Sequence, residues 1–274
     1  MDFVDDLQRI VALSSPPQRI VSLVPSLTET LFALGAGERV VGVTDFCTHP
    51  LESVARITKV GGTKNPLLEK ILHLEPDLVI LNDEENRQED FLWLAEHGLT
   101  LYVTAPRMVA DGIAMIDKIG ALVGCQDQST LMVRAQRQLY DRLAAEFADQ
   151  PRLRVFCPIW RKPWMAFNAD TYANDMLWCC GGENIFQAKS ERYFTVMLKE
   201  VAELSPHVVL LPSEPYPFTV KHFVHLKPLA NTPAGRLGHF YCVDGMALCW
   251  YGPRITEGLE QFSRLFAFVR STCE

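Results

Sequence analysis

A helix–turn–strand unit that occurs twice constrains this chain more than any single motif. Residues 67–82 read LLEKILHLEPDLVILN, and residues 197–212 read MLKEVAELSPHVVLLP. An offset of 130 superposes Leu68 on Leu198, Leu74 on Leu204 and Pro76 on Pro206, together with the apolar runs that follow. Upstream, LFALGAGERV at 31–40 resembles MLWCCGGENI at 176–185 at an offset of 145. Each half opens on a basic residue followed by a short apolar strand, at 19–24 and 154–159. Matched units in matching order imply an internal repeat, and a repeat fixes the architecture.

Between the copies lies a polar, unbroken run, 127–149, in which Leu131, Ala135, Leu139, Leu143 and Phe147 recur every four residues. That is the apolar stripe of an amphipathic helix. Asp127 or Ser129 can cap its start and Pro151 stops it. Helices and strands alternate on both sides of it, which predicts parallel βαβ units with right-handed crossovers. The expected fold is α/β: two Rossmann-like lobes with mainly parallel sheets, joined by one long rigid helix. The expected boundaries are 1–125 for the N-terminal lobe, 126–150 for the linker helix and 151–274 for the C-terminal lobe. Residues 1–15 read as a short helix lying on the first lobe, broken by Ser14-Ser15-Pro16-Pro17. Ser26 or Thr28 reads as the cap of the first lobe's first helix. With 48% hydrophobic residues, each half can bury a core of its own.

Charge and punctuation exclude several classes. A net charge of −7 without a basic stripe argues against nucleic acid as a partner. No apolar run approaches the ~20 residues a membrane-crossing helix needs. The acidic N-terminus lacks a charged segment followed by an apolar core, and the eight cysteines form no C-x-x-C. Many free thiols without a leader imply a cytoplasmic protein, or a periplasmic one if a leader has been trimmed away.

In parallel α/β units, ligands bind beyond the carboxyl ends of the strands. In the first half this places Pro25, Ser26, Phe46, Cys47, His49, Glu84, Glu85, Asn86 and Arg107 at the expected site. In the second half it places Trp160, Arg161, Trp164, Tyr216, Trp250 and Tyr251 there. Aromatic faces bury large flat ligands, and arginine pairs with their carboxylates or phosphates. The competing roles are plain: a tryptophan after a strand also serves lobe packing, and Glu84-Glu85 suits a helix start. Cys47-x-His49 supplies a thiol and an imidazole, as a nucleophilic pair or as two metal ligands. With Glu84 or Glu85 it makes the alternative reading, an intracellular enzyme acting on a small molecule. The chain has no G-x-S-x-G, no H-E-x-x-H and no Walker loop. Gly35-Ala36-Gly37 follows a helix, which reads as a cap and not as a phosphate cradle.

RIVSLVPSLTETLFALGAGERVVGVT, a Gly-Gly turn, LEKILHLEPDLVIL and, in the second half, CGGENIF together resemble the helical-backbone (class III) solute-binding proteins of ABC importers. The likeness runs from about Pro17 to Val269 and is greatest to the cobalamin-binding type. It implies two α/β lobes, an interlobe helix, no enzymatic activity and no intrinsic cofactor. It also implies a cleft that holds a small-molecule metal chelate: a corrinoid, haem or a ferric siderophore. The family's first-lobe loop residues map onto Pro25, Ser26 and 46–49, and its aromatic loops map loosely onto 160–164 and Trp250-Tyr251. If the ligand is a metallated corrinoid, His49 is the candidate axial contact, through the chelate only. Family members bear one surface glutamate per lobe for the permease. Glu69 matches the first, but Lys199 stands at the second position, which puts permease docking in doubt. GGTKNP, NDEENR, WRKPWM, PSEPYPF and WYGPR look more like an intracellular branch of the family.

Overall fold

Backbone pairing over residues 1–272, those described by this computed structural model, builds two parallel sheets. The sheets belong to separate compact units. The first unit takes in Met1–Pro106, Asp111–Ala135 and Tyr251–Pro253. The second takes in Arg107–Ala110, Gln136–Trp250 and the chain from Arg254 onward.

In the first unit the order is β1 (Asp2–Val4), β2 (Ile10–Ala12), β3 (Ile20–Ser22), α1 (Pro25–Ala33), β4 (Val40–Val43), α2 (Leu51–Val54), β5 (Thr58–Lys59), α3 (Leu68–His73), β6 (Leu78–Asn82), α4 (Gln88–Glu96), β7 (Leu101–Thr104), α5 (Val109–Leu122) and the start of α6 (Gln126–Glu146). Its sheet runs β5-β4-β3-β6-β7, parallel throughout. The central strands β3 and β6 are buried along their whole length, as strands covered on both faces must be.

The first fifteen residues do not form the expected helix. β1 and β2 pair as an antiparallel hairpin, turned by Asp5, whose carboxylate accepts from the Leu7 and Arg9 amides. The same aspartate accepts from the Val103 amide, and the Asp6 amide donates to the Val103 carbonyl. Asp6 also accepts from the Ala105 amide and pairs with Lys118. The hairpin thus covers the open edge of β7, a strand side that would otherwise present unpaired backbone groups. The expected side-chain cap of α1 is absent too. Val24 occupies the cap position and Pro25 the first turn, where no N–H is needed. Ser26 and Thr28 are buried inside the helix, and the Thr28 hydroxyl bonds Ser22 and the Val24 carbonyl.

α6 forms as one 21-residue helix, but its buried face differs from the four-residue stripe. Ser129, Gln136, Leu143 and Phe147 mark the buried side of this segment, while Leu131 is 68% exposed and Ala135 lies open. A strict repeat of four drifts about 40° per step on a helix of 3.6 residues per turn, so its early members leave the face that its late members occupy. At the start of α6, Ser129 packs so close to Gly120 of α5 that a Cβ there would lie 2.3 Å from the serine side chain.

The second unit continues with β8 (Leu153–Phe156), β9 (Met165–Phe167), α7 (Tyr172–Cys179), β10 (Gly182–Asn184), β11 (Tyr193–Thr195), α8 (Leu198–Glu203), β12 (Val208–Pro212), α9 (Pro233–Leu237), β13 (Phe240–Val243), α10 (Gly245–Cys249) and α11 (Arg254–Ser271). Its parallel sheet runs β10-β8-β12-β13, and β9 pairs with β11 as a small antiparallel ribbon.

The repeat holds residue by residue. α3 and α8, and β6 and β12, begin and end 130 positions apart. Glu75 and Ser205, also 130 apart, both adopt the left-handed conformation, with φ of 45° and 47°. The guanidinium of Arg19 donates to the Leu74 carbonyl, and that of Arg154 to the Leu204 carbonyl. Ile71, Val79 and Leu81 sit in one core, and Val201, Val209 and Leu211 in the other. The offset of 145 needs a correction of one. The left-handed glycines that follow α1 and α7 are Gly35 and Gly181, 146 apart, and past them a short 3-10 turn at Gly37–Arg39 precedes β4 with no counterpart before β10.

Candidate functional site

In each unit the strand-end residues fall at the carboxyl edge of a parallel sheet, and the two edges are built differently. In the first unit the loop after β4 leaves Phe46 61% exposed and buries Cys47. The Cys47 thiol lies 3.2 Å from the Thr28 hydroxyl and 3.1 Å from that of Thr44. Burial raises its pKa above the ordinary thiol value, against smaller opposing effects from these hydroxyls and Lys59. A buried, protonated thiol is a poor nucleophile. His49 is half-buried, with Nδ1 3.0 Å from the Thr48 hydroxyl.

The loop after β6 is held by amides. Asn82 Oδ1 accepts from the Glu84 and Glu85 backbone N–H groups. Asn86 accepts from the Asn82 amide and donates to the carbonyls of Leu23 and Thr63. Asn86 therefore faces inward as a structural clamp, while Glu84 and Glu85 stand partly exposed on the turn it fixes. Asn82, Asp83, Asn86, Arg87 and Phe91 also border an open pocket of about 310 Å³ within this unit. Pro25 and Ser26 are buried in the first turn of α1. Tyr251 is buried and belongs to this unit. The adjoining Gly252, at φ 76°, packs on α1 so tightly that a Cβ would sit 1.9 Å from the Thr30 hydroxyl.

In the second unit four rings interlock. Trp160, at the tip of the loop after β8, meets Tyr216 edge-on with centroids 5.3 Å apart. Tyr216 leans on Phe218 at 4.6 Å, and Phe218 stacks on Trp164 at 5.7 Å and 6°. Phe218 and Trp164 reach down into the core beside Phe156 and Leu211, so the cluster is anchored from beneath. Trp160 remains 43% exposed at its top. Trp250 is not part of it. This ring is buried, and its indole N–H donates to Glu214 at 3.1 Å. Trp250 and Tyr251 are 6% and 5% exposed, so they present little surface to a ligand. Arg107 is partly buried and counted with the second unit, where the neighbouring Val109 amide donates to Asp175.

Two histidines that sequence reasoning did not place here border the cluster. His222 lies 5.5 Å from both Tyr216 and Phe218, and His225 lies 6.4 Å from His222. Both ride on the 3-10 helix Val220–Leu229, where residues three apart eclipse one another. The signal was available as H-x-x-H, but Pro228 hid the helix. His222 Nδ1 accepts from the Thr219 amide at 2.9 Å, which leaves the proton on Nε2, 3.4 Å from the Tyr216 hydroxyl. Among the described residues, no group of three or more His, Cys, Asp or Glu is arranged to hold a bare metal ion. Nor is any helix among them long and apolar enough to cross a membrane.

Glu69 is exposed in the first turn of α3. Lys199 occupies the same place on α8 with its side chain 85% exposed, 4.0 Å from Glu203. The neighbouring Glu200 is engaged by Lys189 at 2.9 Å.

Comparison with known proteins gives a consistent picture. Residues 20–246 match the family described as periplasmic binding protein. A vitamin B12-binding protein of Vibrio vulnificus is 25% identical over 257 residues, 93% of this chain and 92% of its own. The crystal structure of the periplasmic vitamin B12 binding protein of Vibrio cholerae aligns with a TM-score of 0.79 at 22% identity, covering 93% of this chain and 98% of that one. A periplasmic haem-binding protein from Pseudomonas aeruginosa aligns with a TM-score of 0.79 at 25% identity, covering 91% and 92%. These relatives are named as binding proteins and not as enzymes, and the two of known structure as periplasmic. The cytoplasmic location expected from the N-terminus and the cysteines finds no support among them.

Proposed function

This chain belongs to the periplasmic binding protein family, and on that premise we propose that it is a non-enzymatic binding protein for a metal chelate: a corrinoid, haem or a ferric siderophore. The observation that carries the reading is the ring cluster Trp160–Tyr216–Phe218–Trp164, rooted in a core and open at Trp160. Rigid aromatic surface of this kind binds flat ligands at low entropic cost. The chelate brings its metal with it. Burial and a raised pKa at Cys47 speak against the enzyme alternative. His49, half-buried after β4, remains the candidate axial contact.

Titrating the protein with cyanocobalamin, haem and ferric chelates, read by visible absorbance and by melting temperature, tests this. At least one is expected to shift its spectrum and raise the melting temperature. Silence from all three would falsify the metal-chelate reading. If a corrinoid binds, His49→Ala is expected to change its visible spectrum; a mutant spectrum identical to the wild type removes the axial role. Periplasmic location is the reading the family supports, and cell fractionation checks it. Because Lys199 reverses the charge at the position matching Glu69, we further propose that docking on a permease through both α3 and α8 is weakened. Like charges facing across an interface cost several kcal/mol by rough estimate. Co-purification with a permease that Lys199→Glu fails to strengthen would overturn that.

A further inference from the structure

Two cations without partners among the described residues, Arg161 and Lys162, follow Trp160 at the exposed face of the ring cluster. Arg161 follows Trp160 directly, is partly buried, and forms no ion pair or side-chain hydrogen bond among the described residues. Other arginines of this protein are engaged: Arg19, Arg39, Arg87, Arg152, Arg154 and Arg270 all donate to carbonyls or carboxylates. Lys162 likewise has no ion pair among the described residues, and it holds a left-handed backbone, φ 69°. Across the rings stand His222 and His225, linked to Trp160 through Tyr216 by centroid steps of 5.3, 5.5 and 6.4 Å. His225 is exposed, and its pKa is lowered first by desolvation and then by the nearby Arg161, His222 and Lys162, so it stands beside the two cations as a neutral imidazole able to donate a hydrogen bond. No carboxylate is among the groups acting on it.

A guanidinium held partly out of water with nothing to pair with is a standing cost that an anion relieves. Beside a flat aromatic surface, that anion is the edge substituent of a flat ligand. We propose that Arg161, Lys162 and His225 form an anion-recognising rim on the Trp160–Tyr216 surface, so that the ligand is a chelate bearing free carboxylates or a comparable net negative charge. This rests on the metal-chelate reading above and narrows it. It favours an anionic porphyrin or ferric siderophore over net-neutral cyanocobalamin, although relatives include vitamin B12-binding proteins. Arg161 selects the ligand through its charge, and the rings supply the contact area.

The test compares haem, an anionic ferric tris-catecholate chelate and net-neutral cyanocobalamin on the wild type, Arg161→Ala, Arg161→Lys and the Arg161→Ala/His225→Ala double variant. At least one anionic chelate is expected to bind the wild type more tightly than cyanocobalamin does, with affinity that falls as salt is raised. Arg161→Ala is expected to weaken it by about tenfold to a hundredfold, the scale of a charge-assisted hydrogen bond. Arg161→Lys should restore part of that, and the double variant should lose more. An unchanged melting temperature of the unliganded variants shows that the loss is not one of folding. Tight cyanocobalamin binding with no anionic preference, or an Arg161→Ala variant that binds the anion as the wild type does, overturns the rim and leaves the metal-chelate reading standing. Failure of every chelate on the wild type overturns both.

Discussion

The two halves share a hinge of sequence and differ in what supports it. In the first unit, Arg19 is exposed, and its amide and that of Gln18 donate to the carboxylate of Asp77 at 2.9 and 2.7 Å. In the second, Arg154 is half-buried, and its amide donates to Nδ1 of His207 at 3.0 Å. Positions 77 and 207 are equivalent by the offset of 130, and in both units the amide of that residue donates back to the arginine's carbonyl. One geometry is thus served by a carboxylate in one copy and a neutral imidazole in the other. A repeat conserves the shape of a turn more strictly than the chemistry that holds it. The strand ends diverge in the same way: a lone exposed Phe46 in one unit, four interlocked rings in the other.

The largest test of this equivalence lies in the cores. Leu81 and Leu211 are matched by the offset and each is at most 1% exposed. Leu81→Ala and Leu211→Ala should each cost about 2–5 kcal/mol, measured by urea unfolding. A cost that falls on only one of them would break the comparison at its centre. Next come the strand ends. Trp160→Ala should weaken the bound chelate by about 2 kcal/mol, roughly thirtyfold, whereas Phe46→Ala should cost under about 1 kcal/mol because that ring has no aromatic partners among the described residues to complete a surface. Isothermal titration of the two variants decides it, and equal losses would mean that the ring cluster has no special part. The arginines follow. Arg154→Ala is expected to destabilise by about 1.5–3 kcal/mol, since it removes a charge-assisted bond to a half-buried carbonyl. Arg19→Ala, at an exposed site, should cost under about 1 kcal/mol.

The smallest effect is in pH. Desolvation, then the charge of Arg154, lowers the His207 pKa in the folded state. The unfolded chain, with an ordinary value of about 6.5, then binds the proton more readily. The stability contributed by neutral His207 is present above that pH and drains away as pH falls toward the lowered folded value. His207→Asn should remove this component, so the stability gap between wild type and variant should narrow between neutral and mildly acidic pH. A constant gap would mean that His207 does not titrate with folding.

These contrasts also show what was legible beforehand. The offset of 130 could be read because Leu74-x-Pro76 and Leu204-x-Pro206 fix a turn whose backbone both copies share. The offset of 145 slipped by one because adjacent glycines look alike in sequence, and only backbone φ tells which is left-handed. That Asn86 and Trp250 face inward was not legible, because a polar or aromatic residue after a strand looks the same facing in or out. Their inward bonds, to Leu23 and Glu214, come from segments far away in the chain. The ribbon of β9 and β11 escaped because two three-residue strands carry too little periodicity to detect. The helix expected over residues 1–15 failed for a similar reason: partners that hold Asp5 and Asp6 in the hairpin, at Val103 and Ala105, lie some hundred positions downstream.

That last separation carries over to how the chain is born. The hairpin that shields β7 leaves the ribosome before the strand it shields, which follows about a hundred residues later. Closing so long a loop is entropically slow to be rewarded. During synthesis the hairpin waits without its partner, and a newly made β7 stands uncovered until the two ends meet. The guard on this edge is therefore expected to be among the last parts of the first unit to lock and among the first to open. Amide exchange at Val103 and Ala105, faster than at the central strand residues Val79 and Ile80, would be its trace.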